Sequence, residues 1–392
     1  MVYRKFKADY LFNGINILNG DHVLITDTKG KISDIVHKNE AGEGIEVLNG
    51  ILSPGFINAH CHLELSHLKN LIPEKTGLID FVFKVVTERH FDHNEIISSI
   101  KNAEDEMFKC GIVAVGDICN NSLSLVQKEN KRLQYYNFIE TSGWNPDAAT
   151  LRFEKSKIYY NEFIQKNQKV SLVPHAPYSV SQNLWGKITP FFTGKVVSIH
   201  NQETKDEDDF FLNGIGSLTE MYKMMKLDNS FYKPRKLRSM QTYFENFSSA
   251  ASVILVHNTF TKQEDVDYLN QNKTPNQTVS FCLCANANLY IENTLPPVEM
   301  LLQNKCNLVI GTDSLASNHQ LNILEELKTI AKNFPNIKTE TLLQWATMNG
   351  AKALQMDNDL GSFEKGKQPG IVLIENVAGK KIKQHSFARR IL

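Results

Sequence analysis

The sequence predicts an α/β protein, a (β/α)8 TIM-type barrel with a small β-sandwich subdomain built from both chain ends. Three observations carry that expectation. Eight short apolar runs alternate with helix-like segments through the middle of the chain, while both ends are rich in short strands and turns. Several of the apolar runs stop on a histidine or an aspartate, at the barrel face where active sites are built.

The elements follow in order. Near the N-terminus, "ADYLFNG", "HVLITDTKGKISDIV" and "IEVLNG" alternate apolar and polar residues and break at Asn-Gly and Lys-Gly, the pattern of an antiparallel β unit. After Leu354 the texture returns in "LGSFEKGKQPGIVLIEN", which reads turn, turn, strand. Neither end is long enough to fold alone, so residues 1–54 and 358–392 are expected to pair beside a barrel spanning 55–357. Its strand candidates are "FINAH" (56–60), "IVAVGDI" (112–118), "QYYNFIE" (134–140) and "VSLVPH" (170–175). They continue with "VVSIH" (196–200), "SVILVH" (252–257), "VSFCLC" (279–284) and "NLVIGTD" (307–313). Helical periodicity lies between them, as in "NEIISSIKNAEDEMFKCG", closed by Gly111, and "QLNILEELKTIAKNF", closed by Pro335. The stretch from Thr204 to Ala251 is longer than one connection needs. It holds Ser217 and Glu220 at capping-box spacing and "DEDD" at 206–209, read as a solvated loop or helix start.

Composition narrows the function. Hydrophobic residues make up 42% and charged residues 22% of the 392, an ordinary globular balance. The 43 basic and 43 acidic residues cancel, so neither nucleic acid nor an anionic membrane is an expected partner. No run approaches the ~18 apolar residues of a membrane span, and "MVYRKFKADYLFNG" has no apolar leader region. Six cysteines lie scattered, several in apolar runs, which suits reduced thiols in a cytoplasmic protein.

The chemistry begins at "GILSPGFINAHCHLELSHL". His60 and His62, two apart on a strand, point to one face and can share a ligand. Strands four, five, six and eight then end at His175, His200, His257 and Asp313. A single strand-end histidine is ordinarily structural; the set is what points to a metal. The expected ligands are His60, His62, His200 and Asp313 around one divalent ion, Zn²⁺ or Fe²⁺, with a position left to water. Such an ion lowers the pKa of its water to roughly 7. Glu203, three residues after His200, is placed to take that proton and return it to the substrate. His257 can hydrogen-bond the attacking water or the developing charge, and Asp313 can orient the nucleophile.

In order along the chain, "PGFINAHCH", "PHAPYSVS", "HNQET", "LVHN" and "IGTDSLASN" resemble the amidohydrolase superfamily. The likeness is to its deaminase and chlorohydrolase branch, which acts on guanine, cytosine, adenosine-type nucleosides and triazines. The resemblance implies the same ligand set, Glu203 as proton shuttle, His257 as the strand-six histidine, His175 as a substrate contact, and a homodimer. It also implies one metal, because the bridging lysine of binuclear relatives has no counterpart: Lys169 lies at the wrong end of strand four. Two departures occur in the strand-seven motif, where Leu283 and Ala285 replace a proline and a serine; Asn286 is kept as a substrate contact. "HLELSHL" and "IDFVFKVVTERH" further resemble deaminases of adenine nucleosides, notably aminodeoxyfutalosine deaminases. That likeness implies Glu88 on the ribose hydroxyls and Arg89 on an acidic substituent. Glu64 and Glu140 read as supporting or pocket residues and His67 as structural.

The expected activity is hydrolytic deamination of a small-molecule 6-aminopurine nucleoside. The alternatives are deamination of guanine or cytosine, triazine-type dechlorination, and a non-catalytic scaffold barrel. A scaffold would have lost ligands or base, and here all are present. The unrelated deaminase type built on His-x-Glu and Pro-Cys-x-x-Cys is excluded, since "CLC" has neither the spacing nor the proline.

Overall fold

All eight expected strands form, in two four-stranded parallel sheets. The computed structural model describes residues 2–392. One sheet holds Phe56–Cys61, Ile112–Cys119, Gln134–Thr141 and Lys169–Pro174, side by side in that order. The other holds Val196–Asn201, Ser252–His257, Thr278–Leu283 and Asn307–Ile310. Strands such as Ile112–Cys119 and Ser252–His257 are buried along their whole length, as parallel strands covered on both faces must be.

The edges of the two sheets meet near the carboxyl ends of their strands. Thr312 N and Asp313 N donate to His60 O at 3.0 and 3.1 Å. The Asn58 amide grips Thr312 from both sides, Nδ2 to Oγ1 at 2.7 Å and Oδ1 from N at 3.1 Å. On the opposite side His200 N donates to His175 O at 3.0 Å. Strand eight is shorter than its apolar run: its ladder with Thr278–Leu283 ends at Ile310, and Thr312 and Asp313 turn instead to the His60 carbonyl.

The connecting helices bury one face. In His93–Lys109 the buried Ile96, Ile100, Ala103 and Met107 recur at helical spacing; Asp92 caps the start by accepting from Asn94 N. Gly111, at φ +92°, ends the helix as expected.

The chain ends form two further sheets. One orders Ile32–His37, His22–Asp27, Tyr3–Lys7 and Ile45–Val47; the other Phe387–Arg390, Ile371–Glu375, Ile51–Pro54, Tyr10–Phe12 and Ile17–Asn19. Ile371–Glu375 runs antiparallel to Ile51–Pro54, with Ile374 opposite Ile51. Phe6, Leu24 and Ile32 from the first sheet share an apolar cluster with Leu11, Leu52 and Leu373 from the second. Tyr3–Lys7 is a strand beyond those expected, because three cations in "YRKFK" mask its alternation.

Residues 204–250 carry the short helices Asp206–Asn213, Ser217–Met224 and Ser239–Tyr243. The capping box expected at Ser217 does not form: Gly216 precedes the helix at φ +101°, and the Ser217 hydroxyl donates to Asp206. "DEDD" does start a helix, yet Glu207 within it is buried. Trp144 stacks on Tyr222 and Tyr232 on Phe210, with centroids 5.2 and 4.5 Å apart. Leu65, Leu68, Phe81 and Tyr178 complete this aromatic cluster, which is made of segments that follow the carboxyl ends of the strands. Among the described residues no helix is long and apolar enough to cross a membrane. All six cysteines are free.

Candidate active site

The strand ends bring five side chains together. His60, His200, His257 and Asp313 each offer a ligand atom, and these lie within 4.8 Å of one another. His62 is closer still: its Nε2 is 3.2 Å from His60 Nε2, 3.3 Å from His200 Nε2 and 3.3 Å from Asp313 Oδ1. His60 Nε2 is 3.5 Å from the same oxygen. A tetrahedral ion with ligand bonds of about 2.0–2.1 Å sets its donor atoms roughly 3.3–3.4 Å apart, so the spacing fits one ion among His60, His62, His200 and Asp313.

The protonation states fit as well. His200 Nδ1 faces the His175 carbonyl at 2.7 Å and can only donate to it, which leaves the Nε2 lone pair turned to the group. Burial pushes the pKa of His60 down, that of His62 down to about 4, and that of His200 well below the usual range. Burial alone would raise Asp313, but the hydrogen bond from His60 and the fields of His62 and His257 hold it well below the carboxylate range. Neutral imidazoles around an ionised carboxylate are the donor set a divalent cation requires.

Glu203 lies across from His257, Oε1 to Nε2 at 3.4 Å. Burial raises its pKa to about 7, against the lowering field of His257. A base must be ionised to take a proton, so kcat/KM is expected to fall about tenfold per pH unit below a midpoint near or under pH 7. A bound cation moves that midpoint to lower pH. The limb should vanish in Glu203→Gln, which a pH–rate profile of both proteins checks. The turn carrying Glu203 is held from behind: Gln202 N and Glu203 N donate to the Glu207 carboxylate at 3.2 and 3.4 Å.

Backbone strain gathers at the same points. Gln202, His257, Asn258 and Asp313 all have left-handed φ, between +47° and +72°. Asp313 is steadied by the Ser317 hydroxyl on Oδ2. Gly311 must remain bare, since a Cβ there would sit 2.9 Å from His60 Cβ and 2.7 Å from Cys282 Sγ. Gly311→Ala is therefore expected to displace His60 and weaken metal binding about tenfold, measured by chelator competition.

The expected substrate contacts are placed unequally. His175 is half-buried, its ring centroid 4.8 Å from that of His200 and its Nδ1 2.9 Å from Ser179 Oγ. Arg89 sets its guanidinium 3.5 Å from Glu64, which is fully buried and raised to about 7 by burial. Asn120 joins that carboxylate to Glu140, giving its N to Glu64 at 3.0 Å and its Nδ2 to Glu140 at 2.9 Å. Glu88 ends the helix Leu78–Glu88 in solvent and has no hydrogen bond or ion pair to the group among the described residues. Asn286 turns away: Nδ2 donates to Glu326 at 2.9 Å, and Oδ1 accepts from Thr329 at 2.5 Å. Asn288 instead meets the site. Its Oδ1 is 2.9 Å from His257 Nδ1, and its Nδ2 donates to His257 O and Thr259 Oγ1. His67 is structural, its Nε2 on the Arg89 carbonyl at 3.2 Å and its ring on Phe91.

Parallel strands ending in a His/Asp donor group, with a buried carboxylate opposite, define a metal-dependent α/β hydrolase. The chain belongs to the amidohydrolase family, which it matches over residues 51–388. It is 28% identical over 379 residues to a 5-methylthioadenosine/S-adenosylhomocysteine deaminase of Caldicellulosiruptor saccharolyticus, covering 92% of this chain and 81% of that one. In structure it is similar to Helicobacter pylori aminofutalosine deaminase in complex with methylthio-coformycin, with TM-score 0.82, 20% identity, and 96% and 94% of the two chains covered. It is also similar to a zinc-bound adenosine deaminase from Xanthomonas campestris, with TM-score 0.72, 19% identity, and coverage of 97% and 86%.

Proposed function

We propose that the protein hydrolytically deaminates a 6-aminopurine nucleoside, exchanging the exocyclic amine for oxygen and releasing ammonia. The observation that carries this reading is the clustering of His60, His62, His200, His257 and Asp313, with Glu203 facing His257 beside it. The deaminase names of the similar proteins support it. A divalent ion, Zn²⁺ or Fe²⁺, would be held by those four ligands and would acidify a water molecule to a pKa of roughly 7. Glu203 would take a proton from the attacking water and hand it to the ring nitrogen next to the carbon under attack. His257, fixed by Asn288, holds the incoming oxygen. Glu203 then takes the proton of the newly added hydroxyl and gives it to the departing amine, so the C–N bond breaks, ammonia leaves and the carbon keeps a carbonyl oxygen. Asp313, ionised and pinned by Ser317, orients the water.

The eight strands are read as one closed barrel, supported by the hydrogen bonds of His60 with Thr312 and Asp313 and of His175 with His200. The division into 55–357 and a β unit of 1–54 with 358–392 is supported by the pairing of Ile51–Pro54 with Ile371–Glu375. Free cysteines suit a cytoplasmic enzyme, and the family likeness a homodimer. For the substrate, aminodeoxyfutalosine is the first candidate. His175 would lie against the base, and Arg89 would meet an acidic substituent while Glu64 orients it.

Ammonia release by the metal-loaded protein tests the reading on aminodeoxyfutalosine, adenosine, methylthioadenosine, S-adenosylhomocysteine, guanine and cytosine. Turnover of the adenine nucleosides with preference for aminodeoxyfutalosine is expected. Preference for guanine or cytosine, or silence on all six, would refute it and direct attention to dechlorination.

A further inference from the structure

A lysine with no access to water stands close to the metal ligands and takes no part in the chemistry above. Lys128 follows the strand Ile112–Cys119 and is 1% exposed; Asp117, its partner, is 0% exposed. Its ammonium donates to Asp117 Oδ2, to Asn137 Oδ1 at 2.8 Å and to Cys119 Sγ at 3.2 Å, which uses all three hydrogens. The rings of Tyr135 and Phe163 lie 5.0 and 5.2 Å from the nitrogen. The other oxygen of Asp117 accepts from Leu63 N at 2.8 Å. Leu63 directly follows His62.

We infer that the Lys128–Asp117 ion pair is a positioning device for metal binding, holding the end of the strand Phe56–Cys61 so that His60 and His62 aim at one point. The inference rests on the reading of these histidines as ligands. Their strand is irregular there: its register against Ile112–Cys119 slips between Asn58 and Cys61, which places one extra residue in the Ala59–His60 stretch. A bulge re-aims side chains but leaves backbone groups without ladder partners. Cys61, between the two histidines, lies opposite Asp117, and the Asp117 carboxylate takes up the Leu63 N–H just beyond. Alone, that carboxylate could turn. Lys128 fixes one oxygen, so the other has a set direction. Stability does not account for the arrangement, because buried ion pairs are commonly no more stabilising than apolar residues of similar volume. Setting register is the best-attested use of such a pair.

The test uses two double variants without the buried charges. Asp117→Leu/Lys128→Met has no acceptor for Leu63 N; Asp117→Asn/Lys128→Met keeps one. In chelator competition the Leu/Met variant is expected to bind Zn²⁺ roughly 10–100-fold more weakly than wild type. Its Co²⁺ form should show an altered visible spectrum, while the Asn/Met variant, which keeps an acceptor for Leu63 N but has no ammonium to fix it, should lie between the Leu/Met variant and wild type in both. Thermal unfolding of the metal-free proteins shows whether each variant is folded. An unchanged affinity and Co²⁺ spectrum in a folded Leu/Met variant overturns the inference. If that variant does not fold, Asp117→Asn alone decides. With Lys128 present, the ammonium and Leu63 N–H compete for one oxygen, so affinity should fall, and adding Lys128→Met should recover part of it but not reach wild type. No loss, or no recovery, is fatal to the inference. A wild-type protein that binds neither Zn²⁺ nor Co²⁺ overturns the metal-site reading and this inference with it.

Discussion

Glu203→Gln is expected to lower kcat by roughly 10²–10⁴-fold, the usual contribution of a positioned acid–base group, while metal content stays at the wild-type level. Glutamine keeps the shape of the side chain and can still accept hydrogen bonds, but it cannot carry a proton. The position suits a proton carrier, since the carboxylate is buried, raised to about 7, and 3.4 Å from His257. It is not among the atoms closest to the donor group, so its loss should spare the metal. Single-turnover kinetics beside metal analysis separates the two effects. Full activity in Glu203→Gln would remove this residue from the mechanism.

The second large effect is loss of the ion. Dialysis against a chelator should reduce turnover by about 10³-fold or more, since the charge stabilisation of a bound cation amounts to several kcal/mol at about 1.4 kcal/mol per tenfold. Re-addition of Zn²⁺ or Fe²⁺ should restore it. Asp313→Ala should reproduce the loss without recovery, because it removes the only anionic donor and leaves three neutral imidazoles. Wild type should unfold at a higher temperature with metal than without, while Asp313→Ala shows little difference. Undiminished activity after exhaustive chelation would rule out a metal in the reaction.

The strand ends were readable because a strand's boundary and its polar terminal residue are local features. "SVILVH" forms Ser252–His257 without adjustment, and the other apolar runs are off by a few residues at most. Only proximity in space had to be supplied, and the order of strands in the two sheets supplies it. What could not be read depends on side-chain direction. In "CANANL" both asparagines fit a site role, but the helix Ala285–Glu292 begins there. Residues two apart on a helix point about 200° apart. Asn288 thus faces His257 while Asn286 faces Glu326 and Thr329. Lys128 was hidden for a related reason: in "SLVQKEN" it reads as a surface lysine, and only the packing of Tyr135 and Phe163 around it makes it internal. The family likeness points to a glutamate on the helix after the ligand pair, and Glu88 stands at the exposed end of that 11-residue helix, a placement that depends on where the helix ends.

The strand that leads into the metal ligands finishes its ladder with residues far downstream of it. Ile51–Pro54 stands one residue ahead of Phe56–Cys61, and its antiparallel partner is Ile371–Glu375. On the ribosome Ile51–Pro54 therefore waits, with an edge open, until Ile371–Glu375 has emerged. Contacts so distant in sequence form slowly, and an open edge in the interval invites pairing with other chains. A message cut short before Ile371 would yield a polypeptide carrying every metal ligand and the proton shuttle, yet with that edge permanently bare.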